Sequence, residues 1–170
     1  MNICEFLDSY SDEMNYLHKE TERTGKEHGQ TFCESDVGEV TQGEKDWISI
    51  DSCDVTDSIN IDVHTHPSGN IGFSENDLRS FITQNLQYPP DTKFDEDMIR
   101  GKCVLGKRLG DTTPTLHCIE ATDKTRNLSI EEQKELSHEL FSDIREKGVG
   151  FMGVSPRNDW SEYVNECYSN

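Results

Sequence analysis

The segment INIDVHTHP, residues 59–67 of this 170-residue chain, constrains the possible fold more than any other part of the sequence. Apolar and polar residues alternate in it, and successive side chains of a β-strand point to opposite faces of the sheet. The side chains of His64 and His66 are therefore expected on one face, with Thr65 on the other. Pro67 cannot donate a ladder hydrogen bond, so the strand should end there.

Two imidazoles that leave the same face of a strand are a natural pair of zinc ligands. Asp77 can supply a third ligand. It lies in the first turn of a helix predicted to begin at Ser74, and a chain reversal at residues 68–69 can return it over the strand end. His64, His66 and Asp77 leave a fourth position open, which is typical of catalytic zinc sites. The pattern therefore predicts one zinc ion.

The same residues also have purely structural interpretations. An isolated His-x-His pair occurs often by chance at surface or core positions. Ser74 and Asp77 fit the N-cap and N3 positions of a capped helix, with Phe73 packing on Leu78 as a hydrophobic staple. A capped first turn is a rigid support for a metal-binding carboxylate, so the two interpretations are compatible.

The hydrophobic pattern elsewhere predicts a single α/β domain in which helices cover a central sheet. Apolar residues at helical spacing predict an amphipathic helix over residues 3–22, ended by Gly25. A later helix follows a Ser-x-x-Glu capping box at Ser129 and ends at Gly148. Residues 150–170 are irregular by pattern. Strands are predicted at GQTFC (29–33), VGEVTQ (37–42), DWISI (46–50), INIDVHTH (59–66), KCVLGKR (102–108) and TLHCIEAT (115–122).

The charge of the chain excludes some classes of partner. Acidic residues outnumber basic ones by 34 to 16 and are spread along the chain, which gives a formal net charge of −18. A negative surface without a Lys/Arg cluster repels phosphate backbones, so direct DNA or RNA binding is not expected. A dispersed acidic surface also fits a halophilic host or its virus. Because there is no long apolar stretch and the N-terminus is acidic, we expect a cytoplasmic protein without membrane contact.

Cysteine and other single residues carry weaker signals. The six cysteines are far apart without a Cys-x-x-Cys motif, so they are interpreted as reduced, mostly buried thiols. The two tryptophans, Trp47 and Trp160, are interpreted as packing residues. The remaining histidines receive no ligand role: His117, beside Cys118, is expected in the core, and surface positions are expected for His18, His28 and His138.

The residues around the two histidines resemble the signature of a known family. The pattern His64-Thr65-His66-Pro67-Ser68-Gly69 followed by Ser74-Glu75-Asn76-Asp77 resembles the signature of the JAMM (MPN+) zinc metalloproteases. The His-Pro-Ser-Gly run is also similar to that of RadC-type relatives. The resemblance implies a cytidine-deaminase-like mixed sheet flanked by helices. It implies a JAMM/MPN-like domain over residues 1–122, with residues 123–170 forming a C-terminal helix and tail packed on the same domain. The zinc-binding motifs of cytidine deaminases themselves are absent.

The resemblance also implies an activity, the hydrolysis of a peptide or isopeptide bond. Its general base is a glutamate at the start of the first strand. Glu27 fits that position, with Glu39 as the alternative. Ser74, by the same resemblance, stabilises the oxyanion through its hydroxyl group. The implied partners are protein substrates, among them conjugates of ubiquitin-like modifiers, and the implied cofactor is one zinc ion.

Two other functions remain open at this point. One is an MPN-type scaffold that binds partners without catalysis, although such relatives usually lack metal ligands that this chain retains. The other is a RadC-like accessory protein of DNA metabolism. The charge of −18 argues against it unless a partner supplies the DNA contact.

Overall fold

The N-terminal helical segment packs on one face of a mixed β-sheet in the computed structural model of this chain. The structure describes residues 1–51, 53–54, 57–74, 76–78, 80–81, 98–121, 129, 131–132, 134–135, 138–139 and 142, and the backbone of residues 160–164.

The helix predicted over residues 3–22 is present but interrupted. It consists of α1 (Ile3–Leu7), a 3-10 turn (Asp8–Tyr10) and α2 (Ser11–Thr24). Gly25 has a φ of 70° and ends α2 in the left-handed conformation, as its position predicts. The buried face of the two helices is formed by Ile3, Leu7, Met14 and Leu17.

Six strands form one open sheet in the spatial order β2-β1-β3-β4-β5-β6. β3 and β4 are parallel, and all other neighbouring pairs are antiparallel. A parallel pair requires a crossover connection, which the chain between β3 and β4 supplies; its described helical residues are 76–78 and 80–81. The strands are β1 (His28–Cys33), β2 (Thr41–Gln42), β3 (Ile59–Thr65), β4 (Ile99–Gly106), β5 (Thr115–Ala121) and β6 (Trp160–Val164).

Two of the strand predictions are wrong in part or in full, and one strand was not predicted. Only two residues of the segment 37–42 form a strand, and the segment 46–50 forms none. Ile50 lies instead over Gly29, where an added Cβ would be 2.2 Å from Ile50 Cδ1. Residues 160–164, predicted as irregular, pair with β5. This strand forms because β5, about 40 residues earlier in the sequence, provides its pairing partner. The local sequence pattern does not indicate such a distant partner.

The alternation of β3 separates a core face from a site face. Ile61 and Val63 are fully buried in the core that α1 and α2 cover. Thr65 lies on this face too, because its hydroxyl contacts the hydroxyl of Thr21 in α2. The side chains of Asp62 and His64 therefore point to the opposite face, as the period of two predicts.

The cysteines are not reduced thiols, and that interpretation is wrong. Disulfides join Cys33 to Cys53 and Cys103 to Cys118, and Cys4 is also disulfide-bonded. Cys103 and Cys118 are directly opposite each other in the β4–β5 ladder, with Cα atoms 4.1 Å apart. Disulfides are usual in oxidising compartments, so these bonds do not support the cytoplasmic location, which stays a prediction. Within the described residues, no helix has the length and apolarity needed to cross a bilayer.

The capping box predicted for the C-terminal helix is present. The Glu132 backbone N–H donates to Ser129 Oγ at 3.1 Å, and the Ser129 N–H donates to the Glu132 carboxylate at 3.3 Å. Helical residues follow at several described positions between 131 and 142. The predicted helix end at Gly148 lies outside the described residues.

Candidate metal centre

His64 and His66 bring their imidazole rings together at the end of β3. Their Nε2 atoms are 3.1 Å apart, and their ring centroids 4.9 Å. His64 belongs to β3 and is almost fully buried, while His66 follows the last strand residue and is anchored by a hydrogen bond from its backbone N–H to the Leu105 carbonyl at 3.0 Å. The strand thus holds both rings on the site face.

The loop after His66 determines which nitrogen of this ring is available. His66 Nδ1 is 2.7 Å from the Asn70 carbonyl oxygen, which can only accept a hydrogen bond. In the neutral ring the proton therefore sits on Nδ1 and the lone pair on Nε2. Gly69 permits this loop because its φ is 80°, and an added Cβ would lie 2.2 Å from the Lys107 carbonyl oxygen.

Asp77 reaches the two histidines from the first turn of the following helix. Its Oδ1 lies 3.1 Å from His64 Nε2, and its Oδ2 lies 3.3 Å from His66 Nε2. The Asp77 backbone N–H donates to Ser74 Oγ at 3.1 Å, and the Ser74 N–H donates to Asp77 Oδ2 at 2.9 Å. The predicted cap is therefore present, and it orients the carboxylate toward the histidines.

The separation of the two histidine nitrogens is compatible with a zinc ion. Around a tetrahedral zinc with ligand bonds of about 2.0–2.1 Å, neighbouring ligand atoms are separated by about 3.3 Å. The Nε2 atoms of His64 and His66 are 3.1 Å apart, and Asp77 approaches them with two different oxygens, Oδ1 at 3.1 Å from His64 and Oδ2 at 3.3 Å from His66. One ligand atom each of Glu27, His64 and His66 also lies within 4.8 Å of the other two, so Glu27 is a further candidate for the third ligand. Two imidazoles and one carboxylate are also a donor set that zinc accepts. A second cluster of Cys33, Cys53 and Asp57 is no such candidate, because both of its sulfurs are in a disulfide.

Glu27 completes the group from the position just before β1. Its Oε1 is 3.9 Å from His66 Nε2, and its carboxylate lies within 4.8 Å of ligand atoms of both histidines. The residue is 3% exposed. Its backbone is fixed on the segment before Trp47, because the Glu27 N–H donates to the Glu44 carbonyl and the Gly43 N–H donates to the Glu27 carbonyl, both at 2.8 Å.

Burial and neighbouring charges shift the pKa values of the three ionisable groups in different directions. Burial raises the pKa of the Glu27 carboxyl to about 7, with His66 opposing and Asp77 adding to the rise. Burial acts in the same direction on Asp77, but the charge and hydrogen bonds of the two histidines hold its pKa well below the ordinary value. Burial tends to lower the pKa of His66, and Asp77 reverses this, so the pKa is raised. Burial thus makes Glu27 a carboxyl that can exchange a proton near neutral pH in the metal-free site.

The group opens into a cleft of about 780 Å³ on the site face of the sheet. One wall is formed by residues 45–50, and the other includes His66, Asn70, Ser74, Asp77 and Ser80. Ser74 lines the cleft beside Asp77. Its Oγ accepts from the Asp77 N–H, so its own proton remains available for donation to a bound group.

Several residues lie elsewhere than expected. Glu39, the alternative base, is exposed and does not line the cleft. Trp47 is 57% exposed on the cleft wall instead of packed in the core. His28, expected at the surface, is buried and lies beside Thr21, with its Nδ1 3.3 Å from the Thr21 hydroxyl. His117 is in the core as expected, with Nδ1 2.7 Å from the Ile71 carbonyl.

Two buried charged residues of the cleft were not predicted from the sequence. Asp62 and Lys102 are buried at its floor, joined by a contact of 2.8 Å between Lys102 Nζ and Asp62 Oδ2. The period of β3 could have indicated Asp62, because it lies two residues before His64 and must share its face. Lys102 could not be paired with it, because the register of β3 with β4 is a long-range property.

Comparison with known protein families, with curated proteins and with solved structures found no match for this chain.

Proposed function

We propose that this chain is a zinc-dependent hydrolase of peptide or isopeptide bonds, of the JAMM (MPN+) type. The observation that carries the proposal is the convergence of His64, His66 and Asp77 at separations of 3.1–3.3 Å, with the Glu27 carboxylate beside them. The mixed sheet with α2 on one face supports the finer assignment of a cytidine-deaminase-like fold. His64, His66 and Asp77 would hold one zinc ion.

When bound, zinc supplies a Lewis acid that polarises a carbonyl group and lowers the pKa of water to about 7. Glu27 is the general base in this proposal. Its carboxylate takes a proton from the attacking water as the carbon–oxygen bond forms. It returns that proton to the leaving nitrogen as the carbon–nitrogen bond breaks.

Ser74 acts on the carbonyl oxygen of the scissile bond. Its hydroxyl lies at the N-terminus of the helix that carries Asp77, and the Asp77 N–H holds its oxygen in place. The free hydroxyl proton is then available to donate to the negative charge that develops on the carbonyl oxygen.

The cleft favours a protein substrate over a small one. It has one wall with apolar side chains, Trp47, Ile48 and Ile50, and one polar wall that includes Ser68, Asn70 and Ser80. An extended polypeptide tail, such as that of a ubiquitin-like modifier, is the substrate class we propose. A scaffold without catalysis is less supported, because all three ligands and a base candidate are brought together.

Zinc content and one matched pair of variants test the proposal. The purified chain is expected to bind one Zn²⁺ per chain. With Zn²⁺ it should cleave an isopeptide-linked conjugate of a ubiquitin-like protein. A fluorescence polarisation assay measures the rate of this cleavage. Glu27→Gln should retain Zn²⁺ and lose about 10²- to 10⁴-fold in rate. Glu39→Gln is the matched control and should keep full activity. A chain that binds no Zn²⁺ would favour the scaffold, and full activity of Glu27→Gln would rule out this base.

A further inference from the structure

The two histidines of the site differ in what their Nδ1 atoms contact. His66 Nδ1 is hydrogen-bonded to the Asn70 carbonyl at 2.7 Å. His64 Nδ1 is buried and has no hydrogen-bond partner among the described residues. Asp62 Oδ1 lies 3.8 Å from it, and this oxygen is also buried without a partner in the described part of the chain. A potential donor and a charged acceptor thus face each other beside the metal centre.

Strand geometry holds Asp62 in this position. Asp62 and His64 are two residues apart in β3, so both side chains project from the site face. In the parallel ladder Asp62 is the register partner of Lys102 in β4, and Lys102 Nζ is 2.8 Å from Asp62 Oδ2. Their side chains are 12% and 6% exposed. The ion pair therefore occupies one carboxylate oxygen and leaves the other directed at His64.

We propose that Asp62, held by Lys102, is a positioning residue for His64. When Nε2 serves as a metal ligand the His64 proton is on Nδ1, and Asp62 accepts it there. Metal-binding histidines commonly donate their second N–H to a carboxylate in this way, which fixes the tautomer and the ring orientation. The separation of 3.8 Å exceeds a hydrogen bond, and a shift of about 1 Å by the carboxylate closes it. The inference rests on the proposed zinc site.

Asp62→Asn tests the inference because the amide has the same shape and a different hydrogen-bond pattern. Lys102 is only a donor, so the amide oxygen turns toward Lys102 and the amide NH₂ toward His64 Nδ1. A donor then faces the Nδ1 proton that His64 carries when its Nε2 is a metal ligand, so metal binding is disfavoured. We expect Zn²⁺ affinity, measured by competition with a chelator, to fall about 10- to 100-fold.

A double variant distinguishes a role of Asp62 in positioning His64 from a role in stabilising the fold. Adding Lys102→Met to Asp62→Asn removes the donor that orients the amide, so the amide oxygen can turn to His64. The Nδ1 proton of the metal-binding form of His64 then has an acceptor again, and at least about half of the lost affinity, on a logarithmic scale, should be recovered. Glu34→Gln is the matched control, since Glu34 accepts from Ser58 at the opposite end of β3. It should leave Zn²⁺ affinity unchanged.

The outcomes distinguish this inference from the proposed function. If the unchanged protein binds no Zn²⁺, both fail. If it binds Zn²⁺ and Asp62→Asn binds it equally well, only the role of Asp62 is overturned. A double variant that recovers none of the affinity lost in Asp62→Asn would also overturn the role of Asp62.

Discussion

The Nε2 atoms of His64 and His66 lie 3.1 Å apart, and both face the carboxylate of Asp77. Because the Asn70 carbonyl holds the proton of His66 on Nδ1, the facing Nε2 atom carries a lone pair in the neutral ring. Acceptor atoms that converge at this distance repel one another unless a cation or a proton lies between them. A proton between His66 and Asp77 relieves this repulsion. For that reason the pKa of His66 is raised and the pKa of Asp77 is lowered.

Replacing Asp77 should separate metal binding from folding. In Asp77→Asn the amide oxygen can still accept from the Ser74 N–H, so the helix cap is retained, while the anionic ligand is lost. We expect Zn²⁺ affinity to fall by more than about 100-fold, beyond the usual effect of removing a residue that only supports a ligand. Chelator competition measures the affinity. The variant should still fold in EDTA, although at a lower unfolding temperature, because the lowered pKa of Asp77 means that its charge stabilises the metal-free protein. A variant that binds Zn²⁺ normally would exclude Asp77 as a ligand.

Ser74→Ala should affect turnover far more than metal content. The loss of one oxyanion donor typically costs about 10²- to 10³-fold in rate. The lost N-cap should also lower the free energy of unfolding by about 1 kcal/mol, because the Asp77 N–H loses its acceptor. Steady-state kinetics and urea unfolding measure the two effects. Ser68→Ala, on the same cleft wall, is the control, and an equal loss of rate there would contradict a specific role for Ser74.

The raised pKa of Glu27 predicts how pH changes the stability of the metal-free protein. The carboxyl has a pKa of about 7 when folded and an ordinary value of 4.5, so the folded state binds this proton more tightly. Its contribution to stability is therefore complete below about pH 4.5 and lost as pH rises to about 7. Relative to Glu27→Gln, the unchanged protein should lose up to about 3 kcal/mol across this window.

Urea unfolding in EDTA, at pH values below and above that window, measures this difference. Glu39→Gln is the control, because Glu39 is exposed and should show no such dependence on pH. If Glu27→Gln gains no stability relative to the unchanged protein at the higher pH, Glu27 is not buried in the manner described.

The disulfide between Cys103 and Cys118 should contribute substantially to stability. The two cysteines are 15 residues apart, and closing a loop of this length contributes about 3 kcal/mol in the chain-entropy estimate. Replacing both by alanine should lower the free energy of unfolding by about that amount. The Zn²⁺ site should persist, because the pair lies in the core on the other face of the sheet. Free thiols at these positions in unreduced, denatured protein would contradict the bond.

Local patterns predicted the elements that local interactions control. Gly25 ends α2 because a left-handed C-cap requires little more than the residue itself. The Ser74–Asp77 cap formed as predicted for the same reason, since both partners lie within one turn. The strand predicted at residues 46–50 is absent, because β-branched and aromatic residues indicate a half-buried surface and not a pairing partner. This segment covers Gly29 without pairing.

The sequence by itself determined that His64 and His66 share a face, because the period of a strand is a property of the local backbone. It also identified Asp77 as a candidate through its chemistry and spacing, and Glu27 through the resemblance to the JAMM signature. Only the tertiary structure decided that Glu27 lies 3.9 Å from His66, and that Lys102 holds Asp62 beside His64. Those contacts depend on the register of β3 with β1 and β4. Register is set by packing across the whole sheet, which no local pattern encodes.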